Sequence, residues 1–592
     1  MRIYSRKCLI LIFLLSDIIT CQAQIIPNDR RIEWIPGIPG GIHYISNPVV
    51  NVLNYGADNM GLHDSYYAII QAIDDLPESG GVVYFPAGSY RVNTRINITR
   101  DNIVFRGNGA GESKLYLYTD DNSIEVIIYE QGDWQIPVSG YNLHSKTITV
   151  ENGSLFTVGE FAEIQQENDP VVMYTNPEWD QDWSENSVGQ LLEVASIQGN
   201  VITFTTSFNF SYQPELNPVI RPIKLVKNIG FENLYFEKMV AGGSTFFFQN
   251  ASYCWLRGVE SYHTRECHVD ISRCLGMEIR ECFFHRSFDY GGGGSGYGVN
   301  CSHHTSGCLI ENNVFDSLRH AMLVQVGASG NVFGYNYSLN PIQGSGEINL
   351  NQGWIPPDVS IHGHYPYMNL FEGNYVNEIG IGDYWGPAGR GNTYFRNRVI
   401  GKGITYHDYS HYQNLLGNVS TTIDNSDGTS EYMLEHGNVI NSVVEWNDSI
   451  TDHNLPESYY LDHAPQFFDG YNWPVYGPET NPDNRLPAQD LYENWPQPAL
   501  LFLDRPGDPG KMQLNIRPNP AYERVQIEWD GNFSDECQLV IYNVEGVEVD
   551  RVNIKTEKGI IHWGIPDEAS PGLYFVSLIS DIGMVNRKLF IF

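Results

Sequence analysis

After its first residues the chain has no apolar run approaching the roughly 20 residues that cross a bilayer, so no transmembrane segment is expected. Positive charge is scarce: 35 Lys and Arg stand against 70 Asp and Glu, a net charge of −35. Such a surface repels polyanions at long range, which argues against nucleic acid or an anionic membrane as partner. An acidic polysaccharide needs a locally basic site for the same reason. The acidic surface is equally a solvated face or one that collects Ca2+, and no other cofactor is implied. Cysteine is sparse too, nine in 592 residues, and none has the CxxC spacing of a zinc site. Six of the seven beyond Cys21 fall between Cys254 and Cys308. Packing inside the fold is their expected role, with one or two disulfides permitted.

What the chain does have is 57 glycines and 37 tyrosines, which favour many short strands joined by turns over long helices. Residues 1–23 carry Arg2, Arg6 and Lys7, an apolar run from Leu9 to Leu15, and Cys21 and Ala23 at the −3 and −1 positions of a signal-peptidase site. Export of a monomer is the expectation. Lipidation at Cys21 is the weaker alternative, because Thr20 fits that signal poorly.

A Gly56-Ala57-Asp58 turn precedes a segment with Ile69, Ala72, Ile73 and Leu76 at helical spacing, which Asp64 or Ser65 would cap and Gly80-Gly81 would end. The strand Val82 to Phe85 follows, then Pro86-Ala87-Gly88-Ser89-Tyr90. This succession resembles the opening of the pectin-lyase-like superfamily. The resemblance implies an all-β, right-handed parallel β-helix whose end is covered by a capping helix, occupying residues 24–505. Residues 140–212, rich in Trp, Asp and Glu, interrupt the turn pattern and read as a small β insertion. Beyond Lys227 the phrases FENLY, ENNVF, GYNYS, EGNYV and FRNRV align on Asn233, Asn313, Asn336, Asn374 and Asn397. The steps 313 to 336 and 374 to 397 are 23 residues and 336 to 374 is 38, one coil plus a long loop. Stacked asparagines that satisfy buried turn backbone are their expected role.

The solenoid is expected to close over residues 459–505, followed by a Pro/Gly linker at 506–513. Residues 514–592 resemble the C-terminal sorting domain of type IX secretion substrates, through Arg517-Pro518-Asn519-Pro520, Ile541-Tyr542-Asn543, Pro571-Gly572-Leu573-Tyr574 and Lys588-Leu589-Phe590. That resemblance implies a β-sandwich, the type IX secretion machinery as partner, and release outside the cell or anchoring at its surface.

Chemistry is expected between Phe284 and Ser338. Four glycines, Gly291 to Gly294, let backbone approach a ligand or turn sharply. With the asparagines as ruler, Tyr297, His320 and Asp358 each lie 16 residues before their own asparagine and should stack in one column. His320 has the pKa of a base, Asp358 would orient it, Tyr297 would donate to a leaving oxygen, and Arg319 would hold a carboxylate. His303 and His364 share a second column, ten residues before their asparagines. With His304, Asp289 and the loop aromatics Trp354, Tyr365, Tyr367, Tyr384 and Trp385 they are candidates for contacting sugar. His303-His304 and His362-Gly363-His364 also invite a metal, but no carboxylate or cysteine stands at clear ligand spacing. The resemblance implies a polysaccharide substrate and admits three activities: a lyase, a hydrolase using two of Asp289, Asp316, Glu347, Asp358 and Asp383, or a glycan-binding surface protein without turnover. The chain lacks the polygalacturonase set of Asn-x-Asp, Asp-Asp, Gly-His-Gly and Arg-x-Lys. It also lacks the Tyr-Gly-x-Asp-Pro-His pattern of mannuronan epimerases.

Overall fold

The computed structural model describes residues 25–496, apart from 175, 292–293, 344–346 and 349–355, together with the strands of the C-terminal region from Gln513 to Ile591. The signal peptide, residues 506–512 of the linker and Trp354 lie outside the described residues. The helix Tyr66–Asp75 buries Ala68, Ile69, Ala72 and Ile73 against the first coil. Its cap combines both candidates, since Asp64 Oδ1 accepts from the Tyr66 N–H at 3.1 Å while Ser65 holds the N-cap position. Beyond it Gly80, at φ +85°, passes so close to the next coil that a Cβ would meet the Asn102 carbonyl at 1.9 Å. Only glycine fits there.

Each full coil contributes three short strands to two long parallel sheets of 12 and 21 strands, the architecture of a right-handed parallel β-helix. In one coil these are Leu309–Glu311, Val314–Asp316 and His320–Val324, and in the next Val332–Gly334, Tyr337–Leu339 and Val359–Ile361. Inward residues such as Ile310, Phe315, Met322, Phe333 and Phe371 form one continuous core from the capping helix to Leu415. The asparagine column runs through it. Side-chain amides join Asn313, Asn336, Asn374, Asn397, Asn418 and Asn438 at 3.0 Å in each step. Every carbonyl oxygen in this run also takes the backbone N–H one coil back, as Asn374 Oδ1 does for Asn336. A second column, Asn331, Asn369 and Asn392, repeats the device at another turn.

Asn233 departs from expectation. Register pairs Glu232 through Arg257 and Arg280 with Glu311, so Asn233 aligns with Asn312. Both are left-handed, at φ +55°. Leu234 occupies the ladder position on that coil. The seven described cysteines are buried thiols, with no disulfide among them; burial pushes the Cys254 thiol up to about 12.

The insertion is a six-stranded antiparallel sheet with strands from Pro137 to Ile223, wider than the expected 140–212. Its Ile148, Ala162, Leu192 and Phe210 pack with Leu309, Val332 and Leu370 on the outside of the 12-stranded sheet. The end of the β-helix differs as well. The last strands are Asn438–Ile440 and Val443–Glu445, an antiparallel pair, after which the chain turns back along the outside of the coils. Tyr460 donates to Glu311 at 2.8 Å, Trp473 to Tyr335 at 2.9 Å and Trp495 to Glu260 at 2.6 Å. Residues 459–496 are therefore a strap rather than a closing coil. Considered by itself, the C-terminal region is a sandwich of a three- and a four-stranded antiparallel sheet around Leu514, Ile527, Leu539, Ile541, Val576 and Leu589. Among the described residues no helix is long and apolar enough to cross a membrane.

Candidate functional site

Polar side chains gather on one outer face of the 21-stranded sheet, along Cys267–Ser272, Tyr297–Ser302, His320–Val324, Val359–Ile361 and Tyr375–Ile381. Tyr297 pairs directly with His320 on the next coil, and their rings lie 5.1 Å apart. The Arg319 guanidinium sits 5.8 Å over the Tyr297 ring and donates to the Gly291 carbonyl at 2.8 Å, tying the glycine run to this coil. Asp289 braces that run, accepting from the Gly291 N–H at 2.9 Å and lying 3.8 Å from Arg265.

His320 is buried, and its Nδ1 lies 2.8 Å from the Pro357 carbonyl. A carbonyl can only accept, so Nδ1 carries the proton and Nε2 keeps the lone pair. Burial, then Arg319 and the neighbouring His362, hold this imidazole well below its ordinary range against the Pro357 bond, so it is neutral at physiological pH. Burial pushes the Tyr297 hydroxyl up to about 12, with Arg319 opposing, and it stays protonated. The His362 ring stands 6.1 Å from that of His320, and its Nδ1 is 3.3 Å from Asp383. Burial raises the Asp383 carboxyl, with His362 and the Trp385 N–H opposing. A neutral base, a protonated hydroxyl and a fixed guanidinium thus meet on one surface, which suits proton transfer beside an anionic group.

Asp358 is not in this column. Register pairs Met322 with Val359, a step of 37 rather than the 38 of the asparagines, so Pro357 stands opposite His320. The Asp358 carboxylate is buried, bonded to Ser338 and to the N–H groups of Asn377 and Glu378, and it locks the turn between coils. The ruler slipped because the step to the next coil is 37 residues along Val359–Ile361 and becomes 38 only at the bridge Ser329 to Tyr367, one residue having been added after that strand.

The other candidate histidines, His303, His304 and His364, meet the insertion. His304 is buried with both ring nitrogens engaged, Nδ1 at 2.7 Å from Glu163 and Nε2 at 2.8 Å from the Asn186 carbonyl, so it is not free to contact sugar. His303 and His364 are both left-handed turn residues and both meet Trp183, His303 through the Trp183 carbonyl at 3.2 Å and His364 through ring contact at 4.4 Å. Burial holds His303 down to about 4 and His364 to about 3. They do not converge as metal ligands. Among the described residues a group with ligand atoms within 4.8 Å of one another is His407, Asp408 and Asp427, which the spacing argument did not reach. Another missed feature is the row Asp270, Asn300 and Gln325, linked by amide bonds of 2.8 and 3.2 Å, where burial pushes the Asp270 carboxyl up to about 6. An outward period-2 pattern with Asp, Asn and Gln one coil apart was its only signal.

Glu163 pairs with Arg221 inside the insertion at 2.6 Å and joins it to the β-helix through Arg273 at 3.3 Å and His304. Burial alone would raise its pKa, but the bond and charge of His304 and the two arginines outweigh it and bring it from 4.5 to about 2. Its contribution is therefore present above pH 4.5 and lost as pH falls through about 2. Glu163→Gln should cost on the order of 3 kcal/mol by leaving cations buried without their partner. Faster amide exchange in Phe161–Gln165 and Gly189–Gln198 is the check; unchanged exchange in both strands would contradict it.

Two family models match parts of the chain. Residues 49–154 match the family model described as Rhamnogalacturonase A/epimerase, pectate lyase-like, and residues 515–592 match that of the Secretion system C-terminal sorting domain. The sorting domain directs type IX secretion to the cell surface or the extracellular space. Among solved structures the chain is similar to the tailspike gp61 of Pseudomonas phage phi297, at 13% identity and TM-score 0.49, covering 66% of this chain and 73% of that one. It is similar to the tailspike gp49 of Pseudomonas phage LKA1, at 14% identity and TM-score 0.45, covering 63% and 64%. The A-module of the Azotobacter vinelandii mannuronan C-5 epimerase AlgE6 aligns at 13% identity and TM-score 0.25, covering 66% and 98%. A search of curated proteins finds no relative.

Proposed function

We propose that this protein, a pectate-lyase-like β-helix exported through its C-terminal sorting domain, is a carbohydrate-active enzyme that cleaves a uronic-acid-containing polysaccharide by β-elimination. The observation that carries the reading is the neutral His320 imidazole, its Nδ1 proton spent on Pro357, beside Tyr297 and Arg319. In this reading Arg319 offsets the charge of the uronate carboxylate. His320 Nε2 takes the proton on the adjacent ring carbon, the bond to the 4-linked oxygen breaks, and the Tyr297 hydroxyl protonates that oxygen. A double bond between C4 and C5 remains in the uronate that lost the proton, which becomes the new non-reducing end, while the expelled oxygen leaves with the other fragment. The local cation answers the repulsion that the overall charge of −35 imposes on such a substrate.

A two-carboxylate hydrolase is the second reading, favoured by Asp270 and Asp383, both with raised pKa. Their strands are four coils apart, roughly 19 Å along the axis, whereas inverting and retaining pairs stand roughly 5 to 9.5 Å apart. The test is to incubate the exported protein with galacturonan, alginate and glucuronan. Ultraviolet absorbance of the unsaturated product rising on one of them is the expected result. Reducing ends released with no absorbance would replace elimination by hydrolysis.

A further inference from the structure

The insertion places an aromatic side chain at the edge of the polar face. Trp183 is 43% exposed and Tyr384 57% exposed, although both stand among rings that could have covered them. Trp183 lies edge-on to His364 at 4.4 Å and to Trp385 at 5.9 Å, and Tyr384 packs on Trp385 at 5.1 Å. The group is held firmly. The Trp183 carbonyl meets His303 Nε2, and Gly363 approaches Trp385 so closely that a Cβ would stand 2.4 Å from the tryptophan Cβ. Beneath the indoles His364 is 2% exposed and its Nε2 has no hydrogen-bond partner. The wall is continuous with the site, because Asp383, next to Tyr384, takes the Trp385 N–H at 2.9 Å and stands 3.3 Å from His362. Rings needed only to dock the insertion would be buried against it, as Trp179 is at 5% exposure. Fixed, half-exposed aromatic faces with a carboxylate at their rim, here Glu178 bonded to the Tyr384 hydroxyl, suit a pyranose ring, which offers C–H faces and hydroxyl edges.

We propose that Trp183, with Tyr384 and Trp385, stacks a sugar unit of the same glycan chain beyond the unit held at His320, so that the insertion forms one wall of the binding groove and sets the length of chain the protein grips. This rests on the glycan reading above but not on its reaction. The experiment is calorimetric titration of the full exported chain, carrying His320→Gln to prevent turnover, with oligogalacturonates, oligoalginates and neutral cello-oligosaccharides graded from disaccharide to octasaccharide. For one series affinity should climb with length, and Trp183→Ala should erase about 10-fold of that gain at the long end while Trp183→Phe keeps most of it. Tyr384→Ala, which removes an exposed ring outside the insertion, should erase part of the same gain and guards against a Trp183→Ala protein that fails to fold. Length dependence unchanged in Tyr384→Ala and in folded Trp183→Ala overturns the proposal, as does failure of every series to bind. Length-dependent binding by a protein that cleaves none of the polymers sinks the elimination reading and leaves the aromatic wall standing.

Discussion

His320→Gln should lower turnover by about 10²- to 10⁴-fold, the usual contribution of a positioned general base, with little change in the thermal midpoint. Glutamine keeps an N–H for the Pro357 carbonyl, so the local bond survives while the basic nitrogen is lost. Tyr297→Phe should act in the same direction by removing the proton donor. The pH profile makes the claim sharper. A base works deprotonated, so activity is lost as pH falls through the lowered pKa of His320, well under the usual 6.5. Tyr297, pushed up to about 12, remains an acid throughout the neutral range. The rate should therefore have no break near 6.5 belonging to His320, and a break near 6 that disappears in Asp270→Asn belongs to Asp270. Retained turnover in His320→Gln would remove the imidazole from the chemistry, whatever the fold.

Asn374→Ala should cost on the order of 4 kcal/mol in unfolding free energy, among the largest losses of any single asparagine in the chain. Its side chain makes four bonds at zero exposure: it accepts from the N–H and the amide of Asn336 and donates to the Phe333 carbonyl and to Asn397. Alanine leaves those groups buried without partners and opens a gap between coils. Asn233→Gly is the contrasting substitution. Asn233 sits at φ +55° in the neighbouring column, where Gly258 stands one coil later at φ +61°, so glycine should be nearly neutral there. Chemical denaturation of the two variants measures the difference directly. Equal losses would contradict the register given above.

The asparagine column was legible because every coil, whatever its length, repeats a single demand at the same turn, a side chain that both accepts from the coil before and donates to the coil after. Its first member was misplaced because Asn312 and Asn313 are adjacent and serve different columns. Phrase matching could choose either. Tyr297 over His320 was read from two uninterrupted coils, whereas Asp358 lay beyond a long loop, where a one-residue difference moves a side chain to another face. The roles of His303, His304 and His364 were not legible at all. Their partners Glu163, Trp183 and Asn186 lie in the insertion, more than 100 residues upstream, and no local pattern links them. The polar face itself was half visible. Its base and cation lay in the histidine- and glycine-rich segment, but His362 stood out only for a metal that no nearby ligand spacing supported, and Asp383 only as one of five candidate carboxylates. What joins them to His320 is the stacking of coils, not spacing along the chain.

Glycan binding at His320 is best tested by a crystal structure of the His320→Gln protein soaked with an oligosaccharide of the polymer the protein cleaves. The chain should lie along the outer face of the 21-stranded sheet, with a uronate carboxylate at Arg319, the cleaved linkage between Gln at 320 and Tyr297, and a further unit against Trp183. An oligosaccharide bound instead along the strap of residues 459–496, with that face empty, would contradict it.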